Sequence, residues 1–122
     1  CEPPELVSIW IALDDVTEEN GCLWMQLGSH RLGTVDHRPT GSTALLEASV
    51  DTSRLVPFCM PAGHALMHHC LTVHGSHPNR SSRPRRAHAI HYMAEGTTRP
   101  DEEGFPTAEN LVLRQGVART AP

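Results

Sequence analysis

Nine histidines stand among 122 residues, and histidine is the commonest side-chain ligand of transition metals. His64, His68, His69 and His74 fall within eleven consecutive positions. Read as one straight strand, that stretch places His64, His68 and His74 on a single face with Cys70, a conceivable zinc set. Against it, no spacing in the chain matches the common zinc frameworks, and no H-x-H occurs.

A second constellation is sharper. His74-Gly75-Ser76 is followed by Asn79 and then by Arg85, eleven residues after the histidine. Arg85 opens a strand whose alternate residues are Ala87, Ala89 and His91. Small side chains beside an inward arginine leave room for a ligand, and a guanidinium grips a carboxylate in bidentate fashion. One metal-capable histidine and one carboxylate-binding arginine are what a 2-oxoacid bound at iron requires. Plainer readings stand beside these. His74 can be a packed polar residue at a strand end. Arg85 can be one more member of a solvated loop with Arg80, Arg83 and Arg86. His69 and His91 read as supporting residues, and Asp14 and Asp15 as turn residues.

The elements that must position these groups are short strands. Residues 6 to 13 (LVSIWIAL) are β-branched, aromatic and of strand length. Val7, Ile9, Ile11 and Leu13 share one face, which needs a hydrophobic cover. Ser8, Trp10 and Ala12 share the other, where one large ring sits among small side chains as a pocket wall would; Trp10 reads equally as core filler. Residues 22 to 27 form the next strand, closed by Gly28-Ser29-His30. Residues 31 to 56 read mostly as loop with one short element. Residues 64 to 73 read as one or two strands, closed by His74-Gly75-Ser76, and residues 87 to 93 as the last. No long amphipathic helix is visible. The pattern predicts an all-β sandwich or barrel.

Composition narrows the classes. Hydrophobic residues make up 39% and charged residues 20%, the balance of a globular fold. The formal charge of -4 argues against a nucleic-acid or anionic-membrane partner. All ten basic residues are arginine, which excludes lysine-based covalent catalysis within the chain. No membrane span or signal peptide is visible, so a cytoplasmic location is expected. Cys1, Cys22, Cys59 and Cys70 form no C-x-x-C and are expected to be reduced and mostly buried.

The stretches VSIWIALDDVTEENGCLWMQLGSH (residues 7 to 30) and AGHALMHHCLTVHGSHPNRSSRPRRAHAIHYM (residues 62 to 93) resemble the phytanoyl-CoA dioxygenase family. The NGCL, GSH and HGS…N…R elements carry the resemblance by their order and spacing. It implies a double-stranded β-helix, a jelly-roll or cupin-like core, here incomplete and with loop-rich insertions. Residues 1–96 would be the C-terminal part of that domain and residues 97–122 a tail. It implies an Fe(II)- and 2-oxoglutarate-dependent dioxygenase that hydroxylates a small organic substrate with dioxygen, releasing succinate and carbon dioxide. His74 corresponds to the distal histidine of the iron site. Arg85 corresponds to the arginine that holds the far carboxylate of 2-oxoglutarate. By the same resemblance Ser76 and Asn79 would shape the co-substrate end, and Trp10 would line its wall. Ser29 and His30, at the barrel mouth, are expected to touch substrate.

One family feature is missing. The family's iron site is two histidines and a carboxylate, two of which come as H-x-D. Neither H-x-D nor H-x-E occurs here. In the family that motif precedes the strand corresponding to residues 6 to 13. The chain opens at Cys1 almost directly on this strand, so it is expected to be an N-terminally cut fragment, inactive alone. The Val7, Ile9, Ile11, Leu13 face would then lack part of its cover. A related halogenase, with a small residue in place of the carboxylate, remains an alternative. So do a non-catalytic jelly-roll module and the zinc protein built on His64, His68, His74 and Cys70.

Overall fold

Strand-forming side chains alternate from Leu6 to Ala12, and this stretch is the centre of the architecture. The structure, a computed structural model, describes residues 1–39 and 46–98. Its strands are β1 (Leu6–Ala12), β2 (Leu23–Gln26), β3 (His37–Pro39), β4 (Leu46–Ala48), β5 (Leu55–Phe58), β6 (Ala65–His69), β7 (His74–Ser76) and β8 (Ala87–Met93). One antiparallel sheet has the order β6-β1-β8 and a second the order β5-β2-β7; β3 and β4 pair separately. Along the chain the strands pass between the two main sheets, the winding of a double-stranded β-helix. The fold is all-β, as the strand pattern predicts. Among the described residues no helix is long and apolar enough to cross a membrane.

The core lies between the sheets. Trp10 and Ala12 come from the first, Cys22, Leu23 and Met25 from the second, and Val16 from the link. The other face of β1 is only half-buried at Val7, Ile9 and Ile11. Leu13 and Met67 on that side are 54% and 69% exposed.

Three sequence expectations need correction. Residues 31 to 56 hold more than one short element: a 3₁₀ turn ending at Leu32, the β3–β4 pair, and the start of β5. Pro57 disguised β5. Proline is compatible with an edge strand whose missing N–H faces outward, and β5 is such an edge. Residues 64 to 73, read as one or two strands, hold the single strand β6, and not the straight run on which the zinc set depends. The chain turns after His69, where the Thr72 amide donates to the His69 carbonyl at 2.9 Å, and enters the other sheet as β7. Cys70 leaves the histidine face and donates its thiol to the Pro4 carbonyl at 3.3 Å. Among the described residues no three His, Cys, Asp or Glu side chains gather to hold a metal, so the zinc set is not assembled. Finally, the cysteines are free, but Cys1 and Cys59 are exposed rather than buried.

The folded unit runs past residue 96: Thr97 is buried and Thr98 pairs with Glu2. The rest of the expected tail lies outside the described residues.

Asp14 and Arg86, expected in a turn and a solvated loop, clamp β1 to the start of β8. The Arg86 backbone amide and Nε donate to Asp14 Oδ2 at 2.7 and 3.0 Å, and Nη2 donates to Oδ1 at 2.7 Å. These bonds from Arg86 hold the Asp14 carboxyl down to a pKa of about 2, against an ordinary 3.8. A depressed carboxylate stabilises the fold above its unfolded pKa and loses that contribution as pH falls through its folded pKa. Asp14→Asn is therefore expected to lower Tm at neutral pH by a small margin, since the pair is exposed. The gap from the parent chain should close as pH falls from 3.8 to about 2, readable by circular dichroism melts.

Candidate active site

The inner face of the first sheet supplies the floor. Opposed residues on neighbouring strands share a face. Ser8 lies between His68 and His91, Trp10 between Leu66 and Ala89, and Ala12 opposite Ala87. The side chains of Ala87 and Ala89 are too short to fill the space beside Trp10. Arg85 enters that space from the end of β8, its guanidinium carbon 5.5 Å from the Trp10 ring centroid. Trp10 is buried, and Arg85 Nε is buried with no hydrogen-bond partner. A cation lies over an indole face with an unspent donor beside it, a geometry suited to an anionic oxygen.

His74 comes from the second sheet, where it pairs with Met25. Its ring lies 4.5 Å, centroid to centroid, from that of His68, which brings it to the Ser8 end of the floor. His74 Nδ1 is 2.7 Å from the Thr72 carbonyl. A carbonyl only accepts, so Nδ1 carries the proton and Nε2 keeps its lone pair for a metal. His68 Nδ1 meets the His69 carbonyl at 3.2 Å in the same way. Burial first, then the His74 ring, hold His68 below the usual histidine pKa. His91 Nδ1 is 2.9 Å from Ser8 Oγ.

The residue before His74 is fixed on both sides. The Val73 carbonyl accepts from the Gln26 amide at 3.0 Å. The Val73 amide donates to Ser29 Oγ at 2.8 Å, and that hydroxyl donates to the Gln26 carbonyl at 2.7 Å. Ser29 is thus placed differently from expectation. It is 1% exposed with its hydroxyl occupied, so it does not face a substrate; it positions the approach to His74. His30 is exposed and sits 5.9 Å from His69, ring to ring. Ser76 is exposed on the same side of β7 as His74.

Asn79 spends its side chain on its own loop. Its Nδ2 donates to the Arg83 carbonyl at 2.7 Å, and Oδ1 accepts from the Ser81 amide and hydroxyl at 2.8 Å each. These bonds tie Asn79 to Ser81 and Arg83 within the loop that leads to Arg85. Gly21 explains one glycine of the sequence pattern. Its φ is +91°, and a Cβ there would come within 2.8 Å of the His77 carbonyl oxygen. Asn20 braces the same turn, accepting from the Thr17 amide and donating to the Asp15 carbonyl at 2.8 and 2.7 Å.

Sequence reading did not single out Ser8, Ser29 as a brace, or the Asp14–Arg86 clamp. His68 had a signal, since it alternates onto the face of Trp10 once the strand is ended at His69. The other contacts are long-range and leave no spacing in the sequence. Ser29→Ala should leave the Val73 amide unsatisfied, lowering stability by about 1–3 kcal/mol. Gly21→Ala should cost a similar ~1–3 kcal/mol through its backbone conformation. Urea unfolding of each variant measures both.

The pattern has counterparts in known proteins. The family model described as phytanoyl-CoA dioxygenase (PhyH) matches residues 1–87. Phytanoyl-CoA dioxygenase domain-containing protein 1 of Bos taurus is 41% identical over 115 residues, covering 85% of this chain and 39% of its own length. The crystal structure of EvdO2 from Micromonospora carbonacea var. aurantiaca, complexed with 2-oxoglutarate, aligns with a TM-score of 0.71. Its identity is 31%, over 81% of this chain and 42% of that one. The epimerase SnoN, in complex with Fe3+, alpha ketoglutarate and nogalamycin RO, aligns with a TM-score of 0.61. Its identity is 29%, over 75% of this chain and 36% of that one. The chain spans about two fifths of the length of the curated relatives it matches. With the family model matched over most of its length, the chain belongs to the phytanoyl-CoA dioxygenase family.

Proposed function

We propose that the protein carrying this chain is an Fe(II)- and 2-oxoglutarate-dependent oxygenase that hydroxylates a small organic substrate. Succinate and carbon dioxide are the co-products. The observation that carries the reading is the Arg85 guanidinium, laid over Trp10 with a buried donor unpaired. An arginine in that state has a place for a carboxylate. The bare Nε2 of His74, at the other end of the same floor, has a place for a metal.

These residues fit the two groups. His74 would supply one iron ligand through Nε2, and Arg85 would hold the far carboxylate of 2-oxoglutarate. Trp10 would keep the guanidinium aimed and exclude water beneath it. Ala87 and Ala89 would leave the co-substrate its width, and Ser76 would border its path. When bound, iron and 2-oxoglutarate together supply the oxidising power to functionalise a C–H bond with dioxygen. The chain's own share is orientation: a histidine with its tautomer fixed, and an arginine with its fork held.

Two readouts test this in the full-length protein. Calorimetry with a redox-inert divalent metal reads 2-oxoglutarate affinity. Arg85→Ala should weaken it by roughly 10–100-fold, the worth of a charge-assisted bidentate pair. Arg85→Lys should fall between, keeping charge without the fork. His74→Ala should abolish oxygen-dependent succinate formation. Equal 2-oxoglutarate affinity in the parent and Arg85→Ala would overturn the assignment. Product analysis separates hydroxylation from epimerisation, the outcome named for SnoN.

A further inference from the structure

The second sheet holds a thiol pair that the proposed chemistry does not use. Strand β2 runs antiparallel to β5, with Leu23 opposite Phe58 and Trp24 opposite Pro57. Carried one residue past the ends of both strands, this register sets Cys22 against Cys59. Beyond Cys59, Met60 pairs with Val16 of the link before β2, the two exchanging backbone hydrogen bonds at 2.8 and 3.1 Å. Cys59 is therefore fixed between two paired residues. The β2–β5 register, continued by one residue, is what sets it against Cys22.

The backbone pattern identifies the kind of pair. The Cys22 amide donates to the Thr17 carbonyl at 2.9 Å, away from β5. The Gln26 amide likewise turns away, to Val73. Amides alternate sides along a strand, so those of Leu23 and Met25 face β5. On β5, Pro57 has no amide hydrogen to give, and its nitrogen suits the outward, solvent side. Cys59, two residues on, also points its amide outward. Continued to Cys22 and Cys59, this alternation makes a non-hydrogen-bonded antiparallel pair, a class whose Cα atoms lie about 4.5 Å apart. That spacing falls at the short end of the range a disulfide spans, about 4.4–6.8 Å.

We propose that Cys22 and Cys59 are an oxidisable pair that closes into a disulfide joining β2 to edge strand β5 when the protein meets hydrogen peroxide. Exposure sets the order of events. Cys59 is exposed and Cys22 fully buried in the core. Peroxide reaches Cys59 first, transfers one oxygen to its sulfur and leaves as water, giving a sulfenic acid. The Cys22 sulfur then attacks that sulfur, loses its proton, and expels a second water. Two thiols are oxidised, one peroxide is reduced, and two waters leave.

Burial, and then the adjoining Cys59 thiol, push the Cys22 pKa up to about 11. Cys22 is thereby a poor nucleophile toward peroxide, and its attack on an oxidised Cys59 rests on being held beside it, not on thiolate character. The bridge would sit on the strand that also pairs with β7. Oxidation would therefore stiffen the support beneath His74 without touching the floor at Trp10 and Arg85.

The test uses the full-length protein with Cys1→Ser and Cys70→Ser, which leaves the pair as the thiols of this chain. After stoichiometric peroxide, non-reducing peptide mapping should find the Cys22 and Cys59 peptides joined in a monomer. The oxidised chain should melt higher by roughly 10 °C, and dithiothreitol should reverse the shift. Cys59→Ser should abolish the link and the shift together. The link should form far less readily in concentrated urea, where the register is gone. Three results would overturn the proposal: Cys59 oxidised to sulfinic acid while Cys22 stays a thiol, Cys59 bridged between molecules, or equal linkage with and without urea.

Discussion

The register of β1 is the constraint on which the site depends. This strand lies between β6 and β8, so both neighbours fix which of its side chains face the core. Ser8, Trp10 and Ala12 point inward in a small–large–small order. A slip by one residue would turn Ile9 and Ile11 inward and Trp10 out. Arg85 would then lose its aromatic floor, and His68 and His91 the serine between them. The opposite face of β1 gives this register part of its strength. Val7, Ile9 and Ile11 are half-buried there, and Leu13 and Met67 remain largely bare.

Two clamps hold the ends of the site, and they work differently. At the His74 end the bonds are buried, and Ser29 serves both as donor and acceptor. Losing either bond strands a polar group away from water, so this clamp carries real stability. At the Arg85 end the clamp is the ion pair of Asp14 with Arg86, whose side chain is 69% exposed. Exposed ion pairs contribute little to stability. Three bonds to one carboxylate nevertheless fix the direction in which β8 begins. The neighbouring arginine is thereby turned to the inner side. The first clamp is chiefly energetic and the second chiefly geometric.

Much of the fold was legible because strand alternation is a local signal. The inner and outer faces of β1 and β8 follow from period two alone. The grouping of Trp10 with Arg85 came from the family resemblance, because alternation assigns each residue to a face of its own strand without bringing the two strands together. What escaped was set by contacts distant in sequence. Strand β5 hides because Pro57 is harmless only on an edge, and being an edge is a property of the whole sheet. The serine of Gly28-Ser29-His30 reads as a surface hydroxyl until Val73 is brought against it from 44 residues away. The turn after His69 dissolves the zinc set, since face-sharing among His64, His68, Cys70 and His74 holds only for an unbroken strand.

The unpaired donor on Arg85 bears on what the site is for. Buried polar groups are nearly always hydrogen-bonded, and an orphan of this kind needs an explanation. Leaving a buried donor unmet costs about 1–3 kcal/mol, and more when it is charged. The contact with Trp10 returns only about 0.5–2 kcal/mol. The aromatic floor therefore holds the guanidinium in place without satisfying it. A carboxylate arriving over that floor would meet a cation already oriented, and pairing would relieve a cost the fold has carried. A solvated arginine offers no such advantage, because water already satisfies its donors. Arg85 differs in this way from Arg80, Arg83 and Arg86 of the same loop, which are exposed.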